Sequence, residues 1–302
     1  MYEKAALLTF YAETPIHMGY GQSVSYVDLP IQRERHTSFP VLWASGIKGV
    51  IRNLALRKWN DKDKVNTIFG PDPEDASDFA SCISITDAKI LFYPVRSVKG
   101  VFAWITCPFV LKRFKEDLNA IGVDFKVNDQ EIQIPAISDN EVFIVNDNLK
   151  IQEKNIVALE EFLFDANGDE QVRNLAEKLK EFIPNNDLTN GLEYHLAIVS
   201  DNVFKDFVNY AVEIRTRIRI DQVTGTVKRQ ALFSEELVPS ESVFYSLLLI
   251  KDPYNPNSKM DAEKLFSEIY DLLSKNSLLQ LGGDETIGRG LVRVKFYSPQ
   301  GG

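Results

Sequence analysis

Three stretches of the chain carry residue types that can do chemistry. In TPIHMGYGQSVSYVDLPIQRERHTSFP, which begins at Thr14, Asp28 stands among apolar neighbours and is followed by Arg33, Glu34, Arg35 and His36, with His17 upstream. A loop carboxylate beside a bound phosphodiester can hold a metal ion or a water and assist an RNA 2′-hydroxyl in attacking its phosphate. The same aspartate also suits a turn before Pro30 or an ion pair with a neighbouring arginine. In the second stretch, Ser45-Gly46-Ile47-Lys48-Gly49 opens a helical pattern with Ser45 as N-cap. Free N–H donors, the positive dipole end and Lys48, with Arg52 one turn on, form an anion site. A solvated helix face has the same spacing. In the third, LQLGGDETIGRGLVRVKF, Gly282, Gly283, Gly288 and Gly290 flank Arg289, and Arg293 lies beyond. Glycines let a backbone approach a ligand and aim successive N–H groups at an anion. No helix follows them, so this is no dinucleotide fingerprint, and a P-loop's closing Gly-Lys-Ser/Thr is missing. A tight helix-to-strand turn with a C-cap is the competing explanation.

Standard catalytic sets are missing from the sequence: it has no Gly-x-Ser-x-Gly, no His-Glu-x-x-His and no Cys-x-x-Cys. Cys82, Cys107 and His195 read as core residues, and Trp43, Trp59 and Trp104 as core or interface.

Several elements must position these stretches. Residues 5–12 (AALLTFYA) read as a buried strand, and SGIKGVIRNLALRKW as a helix with Ile47, Val50, Ile51, Leu54 and Ala55 on one face. Two strands, CISITDAKILFY and GVFAWITC, precede a helix from Pro108 with proline in its first turn. Between 123 and 193, strand-like pieces (EIQIP, EVFIV) mix with helical pattern in VALEEFLF and VRNLAEKLKEFI. After a short helix, NVFKDFVNYA, the period becomes two. Val212, Ile214, Thr216, Ile218 and Ile220 point one way, and Glu213, Arg215, Arg217, Arg219 and Asp221 the other. A turn at Thr224-Gly225-Thr226 closes that strand into a hairpin with TVKRQALF. A buried strand (SVFYSLLLI), an amphipathic helix (AEKLFSEIYDLLSK) and an alternating strand (LVRVKF) complete a β-α-β-β-α-β order with insertions. The fold class is α+β with a ferredoxin-like core.

Composition sets limits on partners. The chain has 302 residues, 25% of them charged and 44% hydrophobic, which excludes disorder, collagen and coiled coil. Two cysteines and three histidines exclude a disulfide framework and a Cys/His zinc module. MYEKAALLTF is too charged for a signal peptide and no apolar stretch is long enough to span a membrane, so a cytoplasmic protein is expected. The net charge of −9 argues against nucleic acid until it is divided. Residues 123–193 hold 16 acidic against 6 basic side chains, leaving the remainder at +1. In that remainder the basic residues are bunched, at Arg33/Arg35, Lys48/Arg52/Arg57/Lys58, Arg215/Arg217/Arg219, Lys228/Arg229 and Arg289/Arg293/Lys295. The acidic segment is expected to face solvent or a basic neighbour, and the basic bunches to meet RNA.

The string from Thr14 to Arg52, with VDLPIQRERHT at its centre, resembles the N-terminal signature of the RAMP superfamily, in the branch that builds the backbone of the Cmr complex, the type III-B CRISPR effector. SVKGVFAWITCPFVLKRF, the hairpin RIRIDQVTGTVKRQALFSEELVP and GGDETIGRG follow in the family's order, so the resemblance covers nearly the whole chain. It implies a single domain over 1–302, with a ferredoxin-like (RRM-like) palm, helical fingers insertions and a β-hairpin thumb at 215–239; the acidic segment 123–193, which no linker flanks, reads from its own residues as an insertion within that domain. It implies copies stacked head to tail along a CRISPR RNA beside other Cmr-complex subunits, each thumb displacing a nucleotide of the guide–target duplex. It further implies endonucleolytic cleavage of single-stranded target RNA at those intervals in antiviral defence. Asp28 would be catalytic with a divalent metal ion (Mg or Mn), His17 would assist, and Glu235 or Glu236 would contribute from the thumb. Lys48 and the glycine loop correspond to guide-backbone contacts. Residue by residue, Lys48, Arg52, Gly282, Gly283, Gly288, Arg289, Gly290 and Arg217 suit RNA contact, and Val223, Leu232 and Phe233 suit wedges between bases. Two alternatives stand beside this one. One is a purely structural guide-RNA-binding subunit in which Asp28 only pairs with Arg33 or Arg35. The other is a guide-processing RNase, whose chemistry usually needs a histidine-centred site.

Overall fold

A computed structural model describes residues 2–298 except 24, 25, 73, 75–77, 128, 152, 153, 169, 256 and 257, and omits the side chains of 219 and 228–231. Arg219, Lys228 and Arg229 of the basic bunches therefore lie outside the described side chains.

The apolar run at the N-terminus forms the strand Lys4–Ala12, which is central to a large mixed sheet. Across four strands the order is Leu291–Tyr297, Lys4–Ala12, Val243–Ile250, Ala88–Arg96, with every neighbouring pair antiparallel. Phe10 stands opposite Phe244 and Val294, and Thr9 opposite Tyr245 and Lys295. Such a strand is apolar without alternation because both of its faces are covered. On one face the helix Ala262–Lys275 packs through Phe266 and Tyr270 against Phe296, with ring centroids at 5.1 and 5.4 Å. On the other, the helix Pro108–Ala120, with Pro108 in its first turn as expected, brings Phe114 to 4.8 Å from Tyr245.

The acidic segment completes that second face. Phe182 lies 4.8 Å from Tyr297 and its carbonyl accepts from the Thr9 hydroxyl at 2.6 Å. The helix Glu170–Lys180 buries Val172, Leu175, Ala176 and Leu179. Farther out, Leu196–Ile198 pairs in parallel with Phe102–Thr106 and carries Glu141–Ile144, Phe162–Asn167 and Ile156–Leu159 onto the same sheet. VALEEFLF is therefore no helix. It is the tight hairpin joining the last two strands, with Glu160 at φ 50° in the turn.

The helix Ala44–Trp59 buries Ile47, Ile51 and Ala55, one stripe at four-residue spacing. Its start differs from expectation. Trp43 is the N-cap residue, and the Ala44 N–H donates to the Asp87 carboxylate at 2.7 Å, so an acid from the connection before the strand Ala88–Arg96 takes the place of Ser45. The glycine-rich loop differs too. The last helix ends at Asn276, and a short strand, Leu278–Gln280, pairs with Leu291–Tyr297, which makes the loop a β-hairpin connection rather than a helix-to-strand turn.

Strands Glu213–Ile220 and Val227–Leu237 form a separate two-stranded sheet. Gly225, at φ 69°, turns the chain, and the Asp221 carboxylate accepts from the Val223 and Thr224 N–H groups at 2.9 and 3.1 Å. The period-two alternation predicts this strand, but its apolar side covers no core: Ile214, Ile218, Ile220 and Leu232 are all exposed. No helix among the described residues is long and apolar enough to cross a membrane.

Candidate functional site

The long segment from Thr14 to Pro40 lacks periodicity because its backbone is organised by the hairpin rather than by its own pattern. Isolated bridges pair Ile16 with Val238 and Leu29 with Glu235, and within the segment Gly19 with Ile31. The outer edge of the strand ending at Leu237 reads as a series of attachments. Ser234 N–H donates to Asp28 Oδ2 at 2.7 Å, and Ser234 O accepts from Leu29 N–H at 3.1 Å. Glu236 N–H donates to Leu29 O at 3.0 Å, and Glu236 O lies 2.9 Å from His17 Nδ1. Val238 exchanges two 2.9 Å bonds with Ile16. Asp28 and His17, eleven positions apart in sequence, thus hang from backbone groups two residues apart on one strand.

Their chemical states follow from these partners. The Glu236 carbonyl only accepts, so His17 Nδ1 carries a proton and donates to it, and Nε2 is the ring nitrogen outside that bond. Gly19 gives that nitrogen room, since a Cβ there would lie 2.9 Å from Nε2. Asp28 is exposed, and its Oδ2 accepts both the Ser234 N–H and the Ser234 hydroxyl, the latter at 2.9 Å. Those two bonds hold its carboxyl below the usual aspartate range. It is therefore ionised at neutral pH with Oδ1 free of the clamp. No arginine reaches it among the described contacts. Arg33 instead bonds the Glu236 carboxylate, Ser38 O and Val208 O, which removes the Asp28–Arg33 pair from consideration.

The two hairpin carboxylates, Glu235 and Glu236, lie on opposite faces of the strand, as successive residues must. Glu236, on one face, accepts from Arg33 and from the Ile31 N–H at 2.9 Å. Glu235, on the other, is 1% exposed and accepts from Arg289 and, at 3.2 Å, from Arg217. Asp284 of the glycine loop takes a second bond from Arg217 at 2.7 Å and lies 3.4 Å from Arg289. Burial raises the Asp284 pKa, but bonds from Arg217 and within the cluster outweigh it and hold the group below the ordinary range. Arg289 is thus no surface cation: it is buried and ties the loop to the hairpin. Arg217 is one-third exposed, and its guanidinium covers the Phe233 ring at 5.5 Å.

The glycine loop reaches His17 directly. The Gly283 N–H donates to His17 O at 2.8 Å. Gly282 lies at φ 85°, and a Cβ on it would sit 2.3 Å from that same oxygen. Gly288 is exposed with open space around it, while Gly290 is buried against Leu281 O. On the helix Ala44–Trp59, Arg52 is committed to Gly70 O, Asn66 Oδ1 and Asp72 Oδ1. Among the described residues the Lys48 ammonium bonds only neutral partners, the Ser81 hydroxyl at 2.8 Å and Ile83 O at 3.5 Å. Burial pushes its pKa below the ordinary lysine range.

Sequence reasoning missed Ser234, Asp284 and Asp87. A serine inside SEELVP gives no signal by itself, because its role comes from a residue more than two hundred positions away. Among the described residues no group of three or more His, Cys, Asp and Glu side chains gathers to hold a metal ion. Asp28 offers one carboxylate oxygen outside the Ser234 bonds, which does not make a protein cage.

Residues 9–293 match the RAMP superfamily. The CRISPR system Cmr endoribonuclease Cmr4 of Pyrococcus furiosus is 42% identical over 294 residues, covering 96% of this chain and 95% of its own. The CRISPR system CMR subunit Cmr4 of Saccharolobus solfataricus is 29% identical over 95% of this chain and 94% of its own. Among solved structures, oligomeric Cmr4 from Pyrococcus furiosus superposes with a TM-score of 0.75 at 35% identity, covering 98% of both chains. A subunit of the type III-B Cmr-beta complex bound to cognate target RNA shares the fold, with a TM-score of 0.73 at 23% identity over 98% of both chains. The motifs, the fold and the relatives agree: the chain belongs to the RAMP superfamily, in the same family as the Cmr4 subunits.

Proposed function

We propose that the chain is a CRISPR RNA-binding backbone subunit of a type III-B effector complex and that it cuts the guide-paired target RNA at regular intervals. One observation carries the nuclease reading. An exposed, ionised Asp28 and the basic edge of His17 are mounted on the same strand edge of a hairpin whose own apolar side chains face solvent. The endoribonuclease name of the 42% identical relative supports it.

In this reading the strand order Leu291–Tyr297, Lys4–Ala12, Val243–Ile250, Ala88–Arg96 is the ferredoxin-like palm and the exposed hairpin is the thumb. Val223 and Leu232 insert between base steps, at a cost of a few kcal/mol per step that backbone contacts offset. The displaced nucleotide presents its 2′-hydroxyl to the site. His17 Nε2 accepts that proton as the 2′-oxygen bonds to phosphorus, the bond to the 5′-oxygen breaks, and the leaving 5′-oxygen takes a proton from solvent water. Asp28 Oδ1 orients the hydroxyl or a water beside it. Asp28 would hold a divalent ion, Mg or Mn, which would supply Lewis-acid stabilisation of the charge that develops at the phosphate. Lys48, lacking a carboxylate partner among its described bonds, supplies a phosphate contact, as does the exposed backbone of Gly282–Gly288. Further copies of the chain stack beside it, consistent with the oligomeric relative.

The test is Asp28→Asn in the assembled, guide-loaded complex. Target cleavage is expected to fall by about a hundredfold or more with guide content and target binding intact. Cleavage at the normal rate would leave only a structural guide-binding role.

A further inference from the structure

We infer that Ser234 is the positioning residue for Asp28, a role that rests on the nuclease reading above. Ser234 meets Asp28 at three points: its N–H donates to Oδ2 at 2.7 Å, its hydroxyl donates to the same oxygen at 2.9 Å, and its Oγ accepts the Asp28 N–H at 3.1 Å. A hydroxyl can give and take at once, and alanine could do neither. The clamp is superfluous as a tether. Leu29, the next residue, is already fixed to the same strand by 3.1 and 3.0 Å backbone bonds on both sides. What Ser234 adds is the orientation of the carboxylate. It engages Oδ2 from two directions and leaves Oδ1 outside both bonds. Both donors are neutral, so the carboxylate keeps its charge, whereas the arginines engage Glu235 and Glu236. Ser234 is also part of the hairpin, opposite Thr216, so the element proposed to open the duplex is the one that aims Asp28.

The experiment compares Ser234→Ala, Ser234→Thr and Asp28→Asn in the assembled, guide-loaded complex, under single turnover with saturating target RNA and with target affinity measured separately. Ser234→Ala is expected to slow cleavage by about tenfold, the loss of one charge-assisted bond, with target affinity and guide content unchanged. Ser234→Thr keeps the hydroxyl on a residue that strands favour, and is expected to restore most of the rate. Normal cleavage by Ser234→Ala beside an inactive Asp28→Asn would overturn the positioning role and leave the nuclease reading standing. Normal cleavage by Asp28→Asn removes both. An equal loss in the alanine and threonine variants, or a loss matched by weaker target binding, marks a folding defect and also overturns the role.

Discussion

Two kinds of carboxylate surround one strand of the hairpin, and their difference separates architecture from chemistry. Glu235 and Glu236 are buried, paired with arginines and joined to other segments, Glu235 to the glycine loop through Arg289 and Glu236 to the long N-terminal loop through Arg33. Their charges are neutralised within the protein. Asp28 is exposed and held by a serine's neutral donors, so its charge and one of its oxygens remain available to a ligand. A buried ion pair is costly to break because the surviving partner keeps its desolvation penalty, whereas an exposed carboxylate can be neutralised with little structural loss. Stability should therefore follow the glutamates and cleavage the aspartate.

The sharpest way to break that contrast is Glu235→Ala. It strands Arg289, whose side chain is 8% exposed, and should cost about 3–5 kcal/mol of unfolding free energy, read by denaturant titration. A loss under about 1 kcal/mol would show that the buried cluster is not what fixes the loop. Gly282→Ala should act less strongly. Its φ of 85° and the 2.3 Å approach to His17 O impose strain of about 1–3 kcal/mol. Because the displaced group is the His17 backbone, cleavage should fall further than the stability change accounts for, which a paired melting and cleavage assay decides. Acid has the smallest effect. The Asp28 carboxylate is held below the usual aspartate range, so its tie to Ser234 persists above the unfolded aspartate's pKa and is lost only as pH falls through the lower folded value. The Ser234 amide resonance should stay constant through mildly acidic pH and move only below the ordinary aspartate range; movement above that range would contradict the clamp.

Much of the site was legible in the sequence, though not its wiring. Asp28 and His17 stand out because a charged residue among apolar neighbours and a histidine share one loop that has no periodicity of its own. The partners of the cations were less legible. Arg289 and Arg52 look like phosphate ligands in a string of letters, but a guanidinium with carboxylates nearby in space satisfies them first, and those carboxylates are distant in sequence. Lys48, by contrast, has neutral partners on its ammonium among the described residues. The charge count was similarly half of an answer. It located the acidity in 123–193, but not that Phe125, Leu175, Leu179 and Phe182 in the same stretch are buried in the core and help to close one face of the sheet.

What the sequence alone determined was local or periodic: the buried first strand, the helix stripe at four-residue spacing, the hairpin with its Gly225 turn, the α+β order and the family signature. Each of these follows from neighbours within a few positions, where backbone geometry sets which side chains share a face. The tertiary structure alone decided which charges are spent on one another and which are left free. That choice depends on distances across the fold, between Asp28 and Ser234, Arg33 and Glu236, and Arg289 and Glu235. Electrostatic and hydrogen-bond partners are selected by proximity in space and by burial, and neither quantity is written in the spacing of residues along the chain.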